Sequence, residues 1–392
     1  MQAITGAIPS PPLLAFKVLK LARQVPIDFG AISRVIATDA SLSSALIKHS
    51  NSSRHGVRRP ITDLSRALVM LGRDVVINIV MVDAMRSLKA ATRVAWPGGD
   101  DRFWKHSVAV AIAARFVATC TGMPYAEEAF TCGLLHDFGK LVMLYHSSEA
   151  YGQLLAEAAH SDSPLHQLEQ LHAGHTHAMI GGIVGRQWRL PDSLVHAIEF
   201  HHDKPDVVFG TLGNLVRSAN LLVKVAAIGH SGTTHVLVES FRLMPHARLS
   251  EKELGEMIVG LPAKVDELAS YILGTPSANS ETAAPVGDAA ARPRVAVKLS
   301  NEDEAMLVRY LLLSLGYTPC SADAVSETTL PDAAPCAGVV TDNKLTGSPL
   351  ARQIDYQAWK ADNSQPGTNT IDCEALRTWL KEQLAEVVPA AA

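Results

Sequence analysis

The sequence has no large surplus of charge of either sign. Its 392 residues hold 35 Lys and Arg against 39 Asp and Glu, a formal net charge of −4. That excludes a general electrostatic attraction to nucleic acid or to an anionic membrane, and basic pairs such as Arg58-Arg59 are too short to change this. Cysteine is scarce: Cys120, Cys132, Cys320, Cys336 and Cys373 form no CxxC spacing and are odd in number. Reduced thiols are expected rather than a disulfide framework. No uninterrupted apolar run reaches membrane-spanning length, and the start lacks a charged-then-apolar leader, so no membrane partner and a bacterial cytoplasmic location are expected. What remains is ordinary globular composition, 47% apolar and 19% charged, with length enough for about two domains.

The pattern is helical over most of the chain. Leu14, Val18 and Leu21 form one stripe, and Ile32, Val35 and Ile36 another behind Asp28 as N-cap. Asn51 to Gly56 reads as a turn, Pro60 as the opening of a helix that stops at Gly72, and Val75 to Met85 as a buried helix. This first part, 1–95, carries no ionisable cluster suited to catalysis and reads as a packing or partner-docking layer. After Trp96-Pro97-Gly98-Gly99, residues 96–272 are expected to form a second helical part.

The chemistry concentrates there. His136-Asp137 ends an apolar run, with Gly139 suited to a tight exit. Two polar groups in such a run must be satisfied, by hydrogen bonds in a core or by an ion. His106 lies near the start of a long helix. Thr176 caps a helix that begins at His177, and His201-His202 sits on a helix opened by Pro191, with His201 pointing inward by its spacing from Leu194 and Ile198. Imidazoles with a carboxylate suit a first-row divalent ion such as Fe, Mn or Zn, and an Asp shared by two ions would suit water activation against a phosphorus ester. Any one of these histidines alone reads better as structural, and His172 and His175 as solvated turn residues.

Taken together, His106, His136-Asp137 with Gly139-Lys140, His177 and His201-His202 resemble the HD superfamily of metal-dependent phosphohydrolases. Asp39-Ala40-Ser41-Leu42, Lys48-His49-Ser50-Asn51-Ser52, Ile61-Thr62, Leu71-Gly72, Glu169, Gly174 and Trp188-Arg189-Leu190-Pro191 point to its HDOD branch over roughly residues 8–272. The resemblance implies a mainly α fold, a metal set of His106, His136, Asp137, His177, His201 and His202, and a signalling module that binds a partner protein or a nucleotide-type ligand. If the site is active, His136, Asp137 and Lys140 would carry phosphohydrolase chemistry; Lys140 otherwise reads as a solvated helix-end residue. The sequence departs from the related HD-GYP phosphodiesterases in having no Gly-Tyr-Pro motif after His202. It also has Asn220 where their final helix carries Asp, which removes a charge from the metal set.

Residues 273–293, rich in Ala, Pro, Ser and Gly, read as a flexible linker. In 294–392, strands at Val295–Leu299 and Ala337–Asp342 with helices at Glu302–Leu315 and Cys373–Leu384 suggest a small α/β domain. It resembles a degenerate response-regulator receiver, with Asp342 as phosphoacceptor and Glu302, Asp303 and Glu304 as its acidic pocket; an unrelated α/β tail is the alternative.

Overall fold

The computed structural model describes residues 13–22, 24–51, 60–92, 94–97, 99–159, 161, 163–202, 211–237, 248–273, 294–321, 336–341, 353–363 and 370–385. Five helices build the first layer: α1 (Leu13–Ala22), α2 (Phe29–Ile36), α3 (Ala40–Ser50), α4 (Leu64–Leu71) and α5 (Arg73–Ala90). Asp28, Asp39 and Asp63 cap α2, α3 and α4, each accepting a hydrogen bond from the backbone N–H three residues on. The α4 helix therefore starts at Leu64 behind Asp63, not at Pro60. A side-chain carboxylate that satisfies an orphan N–H outweighs the proline's preset φ. Asn51 closes the entry instead, holding both the N–H and the carbonyl of Ile61.

The second part is organised on α6 (Asp100–Cys120), whose alanines and valines are buried on nearly every side. Such all-round burial marks a central helix. Against it pack α7 (Ala126–Leu135), α13 (Leu212–Val225) and α14 (Glu251–Leu273). Between them run α8 (Phe138–His146), α9 (Ser148–Ala158), α10 (Leu165–Ala173), α11 (His177–Gln187) and α12 (Asp192–Glu199). The Thr131 hydroxyl donates to Asn78 Oδ1 at 3.0 Å, tying α7 to α5 and so one layer to the other. The fold is mainly α, as expected.

After residue 293 come β2 (Arg294–Lys298), α15 (Glu302–Ser314), β3 (Thr318–Ser321), β4 (Cys336–Thr341), β5 (Gln353–Asp355), α16 (Tyr356–Asn363), β6 (Thr370–Asp372) and α17 (Cys373–Ala385). Strands β3-β2-β4-β5 form a parallel sheet, which needs helical crossovers on its faces. The remaining strand, β6, pairs antiparallel with β1 (His235–Leu237), Val236 opposite Ile371, and so reaches back to the helical part. Asp342 lies outside the described residues, as do residues 274–293 of the expected linker. Glu304 is buried and accepts a hydrogen bond from Lys360 Nζ at 2.6 Å.

Candidate metal centre

Asp137 sits on the break between two helices. His136 closes α7 and Asp137 precedes α8, so both side chains leave the backbone where the helix axis changes direction. Gly139 does not form the tight exit expected of it. It lies inside α8, and a Cβ there would stand 2.0 Å from the His177 carbonyl oxygen and 2.8 Å from the Gly181 nitrogen. Its absent side chain lets α11 approach α8 until His177 reaches Asp137. His201 and His202 also differ from expectation: they follow the end of α12 in a turn rather than riding on the helix. There His201 Nδ1–H donates to the Ile198 carbonyl at 2.7 Å. Gly229, at φ +68, serves His106 in the same manner as Gly139 serves His177. A Cβ there would stand 2.3 Å from the His106 nitrogen, so only glycine lets the loop after α13 lie on α6.

The result is a buried convergence. His177 Nε2 and His136 Nε2 each lie 3.2 Å from an Asp137 carboxylate oxygen, His201 Nε2 at 3.7 Å and His106 Nε2 at 3.9 Å. His202 Nε2 is 3.0 Å from His177 Nε2. Four of the residues, His106, His136, His177 and His201, are at most 2% exposed, and Asp137 is fully buried. Two groups of side chains have ligand atoms close enough to share an ion, Asp137 with His177, His201 and His202, and Asp137 with His106 and His136. Asp137 belongs to both. All six residues expected in the metal set are thus brought together.

The outer nitrogens fix what the inner ones offer. Backbone carbonyls at Gly133 and Ile198 accept from Nδ1–H of His136 and His201, each at 2.7 Å, so that in its neutral form each ring keeps an Nε2 lone pair. His177 Nδ1 donates to Glu169 Oε2 at 2.6 Å, and Tyr151 donates to the other Glu169 oxygen at 2.6 Å. That carboxylate–histidine pair is the arrangement that orients metal-ligating imidazoles. Lone pairs on His136 and His201 therefore face a carboxylate that is itself acceptor-only, and Nε2 of His106, His136 and His201 has no hydrogen-bond partner. Acceptors facing acceptors in a buried site are costly unless a cation stands between them. The residues fit a divalent ion.

The electrostatics agree. Burial holds His106 and His202 well below the usual imidazole range and His201 at about 4, so these rings are neutral, as ligands must be. Burial would raise the Asp137 carboxyl, but positive charge on His136, in its protonated form, and on Lys140 outweighs it and holds the carboxyl well below the ordinary value. Burial would likewise lower His177; Glu169 outweighs that and raises it.

Lys140 is not solvated. It is 4% exposed, with Nζ 2.7 Å from Asp137 Oδ2 and 2.7 Å from the Ser231 carbonyl. Beside it opens a cleft of ≈ 60 Å³, with Arg217 and Lys224 on its wall together with His166, His202 and Asn220. His166 stacks on His202 at 4.3 Å between ring centres. Lys224 Nζ donates to the His235 carbonyl at 2.9 Å, and burial lowers its pKa to about 8. Asn220 Oδ1 is buried without a partner. His172, by contrast, is exposed and stands 3.3 Å from Glu157. Sequence reasoning missed the roles of Lys224, Ser231 and His166. Glu169 is legible in the sequence as a family position, but its bond to His177 is not.

The model of the HDOD domain matches residues 8–204. The chain belongs to the HDOD family. A protein of undetermined function from Treponema pallidum (strain Nichols) is 26% identical over 230 residues, which cover 57% of this chain and 44% of that protein. The chain thus spans less than half the length of that relative. Two crystal structures share the fold. An HDOD domain protein of unknown function from Geobacter sulfurreducens is 20% identical, with a TM-score of 0.54 over 70% of this chain and 95% of that one. A candidate signal-transduction protein from Marinobacter aquaeolei VT8 is 23% identical, with a TM-score of 0.54 over 68% of this chain and 60% of that one. Among the described residues no helix is long and apolar enough to cross a membrane.

Proposed function

We propose that this HDOD protein is a signalling component whose buried centre holds a first-row divalent ion, iron, manganese or zinc, on His106, His136, Asp137, His177, His201 and His202. The adjoining cleft takes the phosphate of a nucleotide-type ligand, its ≈ 60 Å³ admitting that group and not the nucleoside, and binding rather than turnover is the output passed to a partner protein. The observation that carries this is the ring of partnerless Nε2 atoms around Asp137, set beside Lys140, Arg217 and Lys224. A bound ion would supply positive charge to a phosphate in the cleft, and the basic side chains would orient it. Asn220 favours binding over hydrolysis, since a neutral amide gives the ion less charge compensation than a carboxylate.

One observation favours a second reading, a metal-dependent phosphohydrolase: Asp137 is shared by two groups of ligand atoms, as a bridging carboxylate would be. Elemental analysis of protein purified without chelator, calorimetric titration with nucleotides and cyclic dinucleotides, and an assay for multiple turnover separate the two. The binding reading expects one or two ions per chain, lost in Asp137→Ala, and metal-dependent ligand uptake without sustained hydrolysis. Sustained, metal-dependent turnover establishes the second reading instead. A chain that takes up none of the three ions and no phosphorylated ligand refutes both.

A further inference from the structure

A second cavity of ≈ 460 Å³ opens between α8, α9 and the turn joining α10 to α11. It shares no lining residue with the cleft beside Lys140. Its volume lies in the range of small-molecule sites. Val142, Met143, Leu154 and Ile180 give it an apolar floor. The single carboxylate on its wall, Glu157, stands 3.3 Å from His172 Nε2. There is no surplus positive charge, so an anion gains nothing by entering. His146, also on the wall, has its Nε2 buried without a hydrogen-bond partner. Burial disfavours its charged form, and a turn of the ring would bring the covered Nε2 to the cavity as a hydrogen-bond partner. Ser147, Gln153 and His175 add further uncharged polar groups to the wall, so the chemistry that matches is an uncharged ring system with a hydrogen-bonding edge.

The walls of this cavity are the same elements that aim the buried centre. Asp137 immediately precedes α8, whose second half supplies Val142, Met143 and His146. His177 begins α11, and Ile180 lies one turn further on. Tyr151 on the wall donates to Glu169, which accepts from both the backbone N–H and the Nδ1 of His177. We propose that this cavity is a regulatory site for a neutral aromatic small molecule with one hydrogen-bonding edge, and that filling it stiffens the Tyr151–Glu169–His177 connection and so biases the centre.

The proposal does not require an ion at the centre, and its test is run on the full chain in EDTA. Indole is the probe, with indene as the same shape lacking the N–H. Saturable one-to-one binding of indole is expected by ligand-observed NMR, at least tenfold weaker in Ala150→Trp, which fills the cavity from an exposed position on α9. His146→Ala weakens indole at least threefold and leaves indene unchanged. Hydrogen exchange read on a peptide spanning 169–180 is expected to slow when indole binds, because the His177 N–H is held by Glu169. Tyr151→Phe should keep indole binding and lose that slowing. Absence of saturable binding, or binding untouched by Ala150→Trp, overturns the site. Binding without any change in exchange overturns the coupling. Neither result bears on whether the centre takes a metal.

Discussion

Asp137 and Lys140 form an ion pair that is expected to stand in for a metal when none is bound. Their oxygen and nitrogen are 2.7 Å apart, and both side chains are at most 5% exposed. At an effective dielectric of about 20, two unit charges at that distance attract by about 6 kcal/mol, most of it offset by desolvation. Removing one partner strands the other. Asp137→Ala leaves the Lys140 ammonium with only Ser231 oxygens, and Lys140→Met leaves a carboxylate among lone pairs. Each single change is expected to cost about 3–5 kcal/mol in metal-free protein. The double variant has no stranded charge, and should fall short of the summed loss by about 3 kcal/mol. Urea titration in EDTA, followed by helical circular dichroism, measures the cycle. Adding a divalent ion should restore much of the Lys140→Met loss and none of the Asp137→Ala loss. Because the Asp137 carboxyl titrates below its unfolded value, the pair's contribution is present above about pH 4 and is lost as pH falls toward the folded pKa. Losses that simply add, or singles costing under about 1 kcal/mol, would refute the reasoning.

Glu169→Gln removes the charge behind His177 while keeping its shape, and should weaken metal affinity about 10- to 100-fold in a competition titration with little change in helix content. Gly139→Ala forces a Cβ onto the His177 carbonyl 2.0 Å away and should destabilise the fold by about 3 kcal/mol or more, read as a lowered urea midpoint; a neutral outcome contradicts the close approach of α8 and α11. Lys224 loses its proton near pH 8, so affinity for a phosphorylated ligand should fall as pH rises through that value. Calorimetry at pH 7 and 9 reads this, and Lys224→Met should bind more weakly at pH 7 and show a flatter profile.

The centre was legible because its residue types are rare in apolar helices. A His-Asp pair inside Cys132-Gly133-Leu134-Leu135-His136-Asp137-Phe138 carries its own cost, and that cost asks for partners. Helix starts were legible wherever a side chain does the capping, as at Asp28 and Thr176. Pro60 misled because proline's preference is weaker than the hydrogen bond that Asp63 makes. Lys140 misled for a different reason. A lysine three residues past an acid at a helix start is usually solvated, and only the loop after α13, laid on α6 through Gly229, closes over it. Lys224 and Ser231 were invisible for the same reason. What they touch is set by how α13 and its following loop cross the bundle, and local pattern does not encode that.

The segment from Ser231 to Leu237 gives the centre a mechanical neighbour. At one end the Ser231 carbonyl holds Lys140, which holds Asp137. In the middle, Thr233, His235 and Val236 line the cleft, and Lys224 is bonded to the His235 carbonyl. At the other end β1 pairs with β6, and the Thr234 hydroxyl donates to Asp372 Oδ1 at 2.7 Å. Seven residues thus touch the buried carboxylate's counter-ion, the wall of the cleft and the last strand before α17. A ligand that draws Lys140 or Lys224 toward a phosphate must lengthen or replace bonds to this same segment.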